Sequence, residues 1–431
     1  MMKQKVNFFW FRRDLRLDDN TALFHALQSD LPVIPVFIFD DAILERLPQN
    51  DARVSFIYDS LQKINEELAK VQASILIKKG KTAEVWKSLV EEFDIQNVFF
   101  NKDYEPYAIK RDVDISALLK ENNVGSFAFK DHVIFEEKEI SKSDGLPYTI
   151  YTPYKNKWLE QYRILGSVAE NDTQPFFANF AKNHYLFPQL SDIGFERSSI
   201  KVIPHNLSQI ANYKETRDFP ALDSTSYLSP HLRFGTVSVR KLVNWANRKN
   251  QTFLSELIWR EFFIQILYSF PHVANRNFKS AYDGIEWQNN EDDFKRWCSG
   301  TTGYPMVDAG MRQLNKTGYM HNRVRMVVAS FLCKHLLIDW QWGEAYFAEK
   351  LLDFELASNV GNWQWAAGTG CDAAPYFRVF NPEIQLKKFD EKGIYIRKWI
   401  PEFSLGYNKP MIDHAFARER AIATYKAGIL K

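Results

Sequence analysis

Up to residue 135 the chain alternates between two hydrophobic periods. Short, β-rich apolar runs occur at Val6–Phe11, Pro32–Phe39, Ser74–Ile77, Asn97–Phe100 and Ser126–Phe135, and runs of that length predict buried strands. Between them, apolar residues recur every three or four positions. Val54, Ile57, Leu61, Ile64 and Leu68 make one such stripe, the face a helix buries. Asp19-Asn20 supplies a cap for a helix carrying Leu23 and Leu27. Strands separated by helical stretches predict an α/β domain over residues 1–135, a parallel five-stranded sheet with helices on both faces. Each interval is long enough for the crossover that parallel strands require.

Residues 136–205 lose this periodicity. Ser141-Lys-Ser-Asp-Gly-Leu-Pro147 is followed by Tyr148, Tyr151, Pro153 and Tyr154, a density of turn residues that predicts an interdomain linker. From 206 to 431 the pattern is helical. Ser229-Pro230 is an N-cap and first-turn pair. Leu254, Leu257, Ile258, Phe262 and Ile266 predict one largely apolar helix. Val324, Val327, Val328, Phe331, Leu332, Leu336 and Ile338 predict another, and helices this apolar lie deep in a bundle. An all-α C-terminal domain follows.

A chain of 431 residues has length for two domains, possibly three, at ~150 residues each. Its 45% hydrophobic and 25% charged composition is that of a globular protein and excludes a disordered one. No apolar run approaches the ~18 residues of a membrane span. The apolar run after Lys5 is too short for the core of a signal peptide. Three widely spaced cysteines, Cys298, Cys333 and Cys371, give neither a disulfide framework nor a metal pattern, so a reducing cytoplasm is expected. The net charge of +2 is uneven. Residues 201–431 hold 30 Lys+Arg against 23 Asp+Glu, or +7, and residues 1–200 hold the other 25 against 30, or −5. The C-terminal half is the better home for a polyanionic partner. Nine of the 12 Trp also lie beyond residue 200.

Several motifs admit both chemical and structural readings. No G-x-G-x-x-G follows the first strand; instead Trp10-Phe-Arg-Arg-Asp-Leu-Arg16 places a basic turn at its carboxyl end, suited to an anion or to surface ion pairs. Thr225-Ser-Tyr-Leu-Ser-Pro230 clusters hydroxyls at a helix start, which can cradle phosphate or simply cap the helix. Asn322-Arg-Val-Arg-Met326 and Asp353-Phe-Glu-Leu-Ala-Ser-Asn359 set charges among apolar residues. Charges so placed need partners, and Arg325 with Asp353 is the expected pair. The Trp residues can be core, can stack on an extruded base, or can relay electrons; spacing does not separate these readings. Signals of a Ser-His-Asp hydrolase, a zincin, a P-loop or a C-x-x-C site are absent from the sequence. A nucleotide-binding α/β protein with a helical appendage stays open at this level.

Taken together, Trp10–Arg16, Thr225–Pro230, Glu256-Leu-Ile-Trp-Arg-Glu-Phe262, Thr302-Gly-Tyr-Pro-Met-Val-Asp-Ala309, Met320-His-Asn-Arg-Val-Arg-Met326, Asn362-Trp-Gln-Trp-Ala366 and Asp372-Ala-Ala-Pro-Tyr-Phe-Arg378 resemble the DNA photolyase/cryptochrome family, nearest to its class I cyclobutane pyrimidine dimer photolyases. The resemblance covers nearly the whole chain. It implies a Rossmann-like antenna-chromophore domain and a helical domain that holds U-shaped FAD and binds DNA.

By resemblance, Tyr213, Thr225, Ser226, Tyr227, Leu228, Ser229, Glu256, Arg260, Asn322, Arg325, Asp353, Phe354, Glu355 and Asn359 are cofactor-binding positions. Asn359 would face flavin N5, where an amide cannot readily give up a proton; plant cryptochromes carry Asp there. Trp363, Trp340 and Trp287 match a photoreduction chain. Trp259 and Trp365 match an aromatic wedge for the flipped lesion, and Arg217, Asn322, Arg323, Met326 and Gln385 match other DNA-binding positions. The implied reaction flips the dimer out of the duplex and splits it by one electron from excited reduced FAD, with Glu256 stabilising the dimer radical anion. No metal is implied, and a monomer in the cytoplasm, at the nucleoid in a prokaryote, is expected.

Asp103-Tyr-Glu-Pro-Tyr-Ala-Ile109 lacks the Asn-Glu pair of folate-binding relatives, so the resemblance favours a deazaflavin or flavin antenna. Phe253 and Tyr319 stand where relatives often have Trp. Two alternatives within the family are a cryptochrome-type blue-light receptor and a six-four photolyase. The first usually has a long C-terminal tail, whereas here the match runs almost to Lys431. The second has His where this chain has Asn322 and Met326.

Overall fold

Five parallel strands form at the apolar runs: β1 (Lys5–Phe11), β2 (Val33–Asp40), β3 (Leu76–Gly80), β4 (Asp94–Asn101) and β5 (Gly125–Phe129). Their order is β3-β2-β1-β4-β5 and every neighbouring pair is parallel. The structure is a computed structural model that describes residues 3–403 and 407–430. Side chains alternate across a strand, and the sheet buries both faces accordingly. Phe9, Phe11, Phe37 and Phe39 pack with Leu61, Ile64 and Leu68 of the helix Ala52–Ala69 on one side. Phe8, Trp10, Val36 and Ile38 pack with Trp86 and Leu89 of the helix Thr82–Glu92 on the other.

The strand limits shift from the sequence reading by a residue at β1 and β2 and by more in the others: β3 is Leu76–Gly80, β4 starts at Asp94, and the run through residue 135 leaves the sheet after Phe129. Beyond Phe129 the chain turns to a buried electrostatic cluster. Asp131 is buried and takes Arg16 Nη2 at 2.7 Å and Arg240 Nη2 at 2.9 Å. Burial alone would raise this carboxyl, but the two guanidinium groups hold it well below the usual carboxylate range. Arg240 also donates through Nε to both oxygens of buried Asp19 at 3.1 Å, and Arg16 Nη1 donates to the Gly235 carbonyl at 3.1 Å. A Cβ at Gly235, whose φ is +65°, would lie 2.1 Å from the Arg13 carbonyl oxygen, so only glycine permits that approach.

The chain forms two compact units. The first gathers Met1–Glu139, Leu159–Pro204 and Leu228–Arg248; the second gathers Ile140–Trp158, His205–Tyr227 and Lys249–Lys431. The stretch 136–205, expected as a linker, holds the helix Tyr151–Leu165 and is shared between the units. Within 206–431, the segment 228–248 packs with the sheet, where Arg240 meets Asp19 and Asp131.

The second unit is helical, built on Gln251–Ser269, Pro305–Thr317, Asn322–Ser330, Trp340–Lys350 and Leu356–Ala367. The apolar run after Ser330 takes one π-helical turn, Phe331–His335, before Leu336. Among the described residues, no helix is long and apolar enough to cross a membrane.

Candidate functional site

Three helices of the second unit leave one narrow stripe each uncovered. Gln251–Ser269 is capped by Asn250, whose side chain accepts from the Phe253 N–H. That helix is buried almost all round, yet Thr252, Ser255, Glu256, Trp259 and Arg260 stay half-buried at three- and four-residue spacing, which puts them on one side. Ser358, Gly361, Asn362 and Trp365 repeat the pattern on Leu356–Ala367. Asn322, Arg325 and Met326 do so on Asn322–Ser330. Seven of the candidate residues, Glu256, Trp259, Arg260, Asn322, Arg325, Met326 and Trp365, therefore sit on helix faces that the protein's own core leaves open.

The first and second of these helices touch closely. A Cβ at Gly361 would lie 2.2 Å from Phe263 Cδ1; only a residue without a side chain allows this distance. Arg260 donates to Glu355 Oε1 at 3.0 Å, and Ser358 Oγ donates to Glu355 Oε2 at 3.0 Å. The expected pair also forms: Arg325 Nη2 donates to Asp353 Oδ2 at 2.9 Å, while its Nε donates to the Met320 carbonyl at 2.8 Å. Phe354, between the two carboxylates, is half-buried. Buried Asn359 donates its amide to the Glu344 carbonyl at 3.1 Å and to Glu344 Oε1 at 2.8 Å. Burial raises the Glu344 carboxyl, and the Asn359 amide acts against that rise.

Around Glu256, Arg217 Nη1 donates to Oε1 at 2.5 Å, and the Arg217 guanidinium lies 5.2 Å from the Tyr213 ring centroid. Tyr213 meets Phe253 edge-on, with centroids 5.3 Å apart. Trp259 carries Tyr151 flat against it, 3.5 Å between centroids and 9° between planes; Tyr151 in turn donates its hydroxyl to the Ser255 carbonyl at 2.7 Å. Thr225 is exposed and Ser226 half-buried. Tyr227 holds φ of 54° and sets its ring edge-on to Tyr319, 5.4 Å away. Leu228 and Ser229 open the helix Leu228–Phe234, which belongs to the first unit.

Arg323 donates to Asp218 Oδ1 at 2.7 Å and lies 4.4 Å over the Phe389 ring. His321 caps the helix that follows it by accepting the Arg323 N–H on Nδ1 at 3.2 Å. Burial pulls this imidazole down to about 4, so at neutral pH its lone pair is available for that bond. Among the described residues, three buried atoms of the candidate residues have no hydrogen-bond partner: Asp353 Oδ1, Arg323 Nε and Gln385 Oε1. An unmet buried polar atom costs ~1–3 kcal/mol. Unmet donors and acceptors beside open arginine, serine and asparagine side chains fit a large polar ligand with anionic and hydrogen-bonding parts, as FAD has.

The three Trp expected to relay electrons do not stack on one another among the described residues. Trp363 is buried, with Phe347 at 5.0 Å and Trp297 at 6.1 Å between ring centroids. Trp340 is buried and donates its indole N–H to Asn277 Oδ1 at 2.9 Å. Trp287 is half-buried and meets Tyr425 edge-on at 5.7 Å. The helices carrying Trp340 and Trp363 are adjacent, for a Cβ at Gly343 would lie 2.1 Å from the Trp363 ring. Glu344, Tyr151, His321 and Asp218 were not singled out from the sequence. Glu344, Tyr151 and Asp218 act through partners distant in the chain, which local spacing does not reveal, whereas His321 is a local cap on the helix that follows it.

In the first unit, the carboxyl end of β1 carries a separate cluster. The Arg12 guanidinium lies 4.9 Å from the Trp10 ring centroid and 4.7 Å from that of Phe100, and Arg111 lies 5.1 Å from Trp10. This is the place where the sheet order reverses between β1 and β4, the usual ligand crevice of an open α/β sheet.

Residues 7–175 match the family model described as DNA photolyase, and residues 253–405 match the FAD binding domain of DNA photolyase. The chain is 35% identical to a deoxyribodipyrimidine photo-lyase of Agrobacterium fabrum, over 97% of each chain. A bacterial class III photolyase from Agrobacterium tumefaciens superposes with a TM-score of 0.87 at 32% identity, covering 100% of this chain and 99% of that one. An archaeal photolyase from Sulfolobus tokodaii, solved with two FAD molecules, superposes with a TM-score of 0.84 at 32% identity, covering 98% and 100%.

Proposed function

The chain belongs to the DNA photolyase family, and from that premise we propose that it repairs cyclobutane pyrimidine dimers in DNA under blue light. The observation that carries this reading is the run Asp353–Asn359, which takes Arg325 on Asp353 and Arg260 on Glu355 from two other helices and whose Asp353 Oδ1 has no hydrogen-bond partner among the described residues. Bound there, FAD supplies the one-electron photochemistry that opens the cyclobutane ring. Asn359 offers an amide fixed by Glu344, a group that does not give up a proton. Tyr213, Thr225, Ser226 and Tyr227 offer hydroxyls to the phosphate and sugar portions.

The lesion side falls to Glu256, Trp259 and Trp365. Glu256 accepts hydrogen bonds from the dimer once Arg217 turns to a DNA phosphate, while Trp365 gives a flat surface for the flipped bases and Trp259, stacked between Tyr151 and Phe263, gives its edge. Arg323 and Gln385 take part in holding the strand alongside Asn322 and Met326. The +7 balance of residues 201–431 suits a polyanionic partner. Trp363 supplies the electron that brings oxidised cofactor to its working state, with Trp340 and Trp287 behind it.

We further propose a second, light-harvesting chromophore of deazaflavin or flavin type at the carboxyl end of β1. Arg12 and Arg111 there already lie on the faces of Trp10 and Phe100, as they would on a flat polycyclic ring.

The decisive experiment incubates FAD-loaded, reduced protein with dimer-containing oligothymidylate. Loss of dimers under blue light and none in the dark is the expected result. No light-dependent loss from fully loaded, reduced protein would overturn repair and leave a blue-light receptor.

A further inference from the structure

The ring packing around Trp363 points outward along a path that does not pass through Trp340. We infer that Trp363 has a second outlet for oxidising equivalents, running through Trp297 to Trp342 at the surface. The inference rests on the proposal that Trp363 gives an electron to the bound cofactor.

The path is read from ring contacts. Trp297 lies 6.1 Å from Trp363, inside the range of aromatic pairs. Trp297 stacks on Phe294, with centroids 5.7 Å apart and planes 18° apart. Phe294 meets Trp342 edge-on at 5.2 Å. Electron transfer weakens steeply with distance, so a continuous set of touching rings is the favoured route. By contrast, neither Trp340 nor Trp287 has a ring contact with Trp363 among the described residues.

Burial sets the direction of travel. Trp297 is fully buried, and its indole N–H is committed to the Val328 carbonyl at 3.2 Å. A radical cation there has no base or water to take its proton, so the oxidising equivalent moves on. Trp342 is half-buried, in the second position after Trp340 on the same helix, and can release its indole proton to water.

Tyr346 also touches Trp297, at 5.7 Å, and Phe294, at 6.3 Å. It is a poor resting place. Its hydroxyl donates to Asn315 Oδ1 at 2.7 Å and to the Cys298 carbonyl at 3.3 Å, neither of which is a base. Trp342 is therefore the terminus.

The steps balance. Trp297 gives one electron to oxidised Trp363, and Trp342 gives one electron to Trp297 through Phe294. Trp342 then loses its N–H proton to water and becomes a neutral radical. An added thiol supplies the last electron and proton and restores it.

The test uses FAD-loaded protein and follows the tryptophan radical by flash absorption and electron paramagnetic resonance. Trp340→Phe closes the outlet through Trp340 and should lower light-driven cofactor reduction without abolishing it, leaving a long-lived tryptophan radical on the second outlet. Adding Trp342→Phe, a half-exposed site that the core does not depend on, should cut both at least tenfold. Trp297→Phe should have the same effect; if it unfolds the core, Trp342→Phe decides alone. Loss of the long-lived radical in Trp340→Phe alone, or a double variant equal to Trp340→Phe, would overturn the branch. Undiminished photoreduction in Trp363→Phe would instead remove Trp363 as the donor, a distinguishable failure of the parent reading.

Discussion

Arg217 holds Glu256, its Nη1 donating to Oε1 at 2.5 Å, with both side chains partly open to solvent. A pair this exposed adds only ~0.2–1 kcal/mol to stability, so its weight lies in function. Arg217→Ala should weaken binding of dimer-containing DNA and lower the salt slope of log K by about 1. Glu256→Gln should keep affinity and lose dimer splitting per absorbed photon several-fold. Titrations at several salt concentrations, with photon-counted repair, separate the two.

Arg260 and Glu355 form a nearly buried pair at 3.0 Å. Breaking one side of such a pair costs ~3–5 kcal/mol because the other charge is left alone. Arg260→Leu should therefore lower the unfolding midpoint markedly and abolish FAD retention. Absorbance of the purified variant and thermal melts check both.

Removal of FAD from the native protein is a milder perturbation of the same region. A ligand present at 100 times its Kd stabilises by ~2.7 kcal/mol. Stripped protein should melt earlier, and the shift should reverse on adding FAD in proportion to the logarithm of its concentration.

Asn359→Asp tests the contact with Glu344. Both amide donors vanish, leaving the Glu344 carbonyl and carboxylate unmet at ~1–3 kcal/mol. A second carboxylate is placed against one that burial already raises. Glu344 binds its proton more tightly in the folded than in the unfolded chain. Stability from it is full below the ordinary carboxylate pKa and declines as pH rises through the raised one. The deficit of Asn359→Asp against the parent should thus be small near pH 4 and grow toward pH 7. Denaturant titrations across that range read it.

Gly343→Ala would set a methyl 2.1 Å from the Trp363 ring and 2.6 Å from Leu332 Cδ2. Overpacking of this kind costs ~1–3 kcal/mol, and the yielding element is the Trp363 ring. The variant should melt lower and should show altered kinetics of the Trp363 radical with FAD bound.

The sheet was legible because each strand is an apolar run flanked by helical periods. The run reads as strand through 135 because Val133, Ile134 and Phe135 are as buried as strand residues, whereas Asp131 is bound to distant Arg16 and Arg240. The helix Tyr151–Leu165 was missed although Tyr151, Tyr154, Trp158 and Tyr162 are buried at helical spacing; Pro153 and the turn-rich residues before it masked the period. Arg325 and Asp353 could be paired from charge and apolar surroundings alone. Trp297 and Trp363 could not, since 66 positions separate them and nothing local to either names the other.

The buried clasp of Asp19 and Asp131 by Arg240 limits how the molecule can be dissected. A fragment ending near residue 204 would keep both acids and lose Arg240, leaving Asp131 to Arg16 alone and Asp19 with no guanidinium on its carboxylate. An autonomous N-terminal piece therefore calls for splicing, with 228–248 rejoined to it.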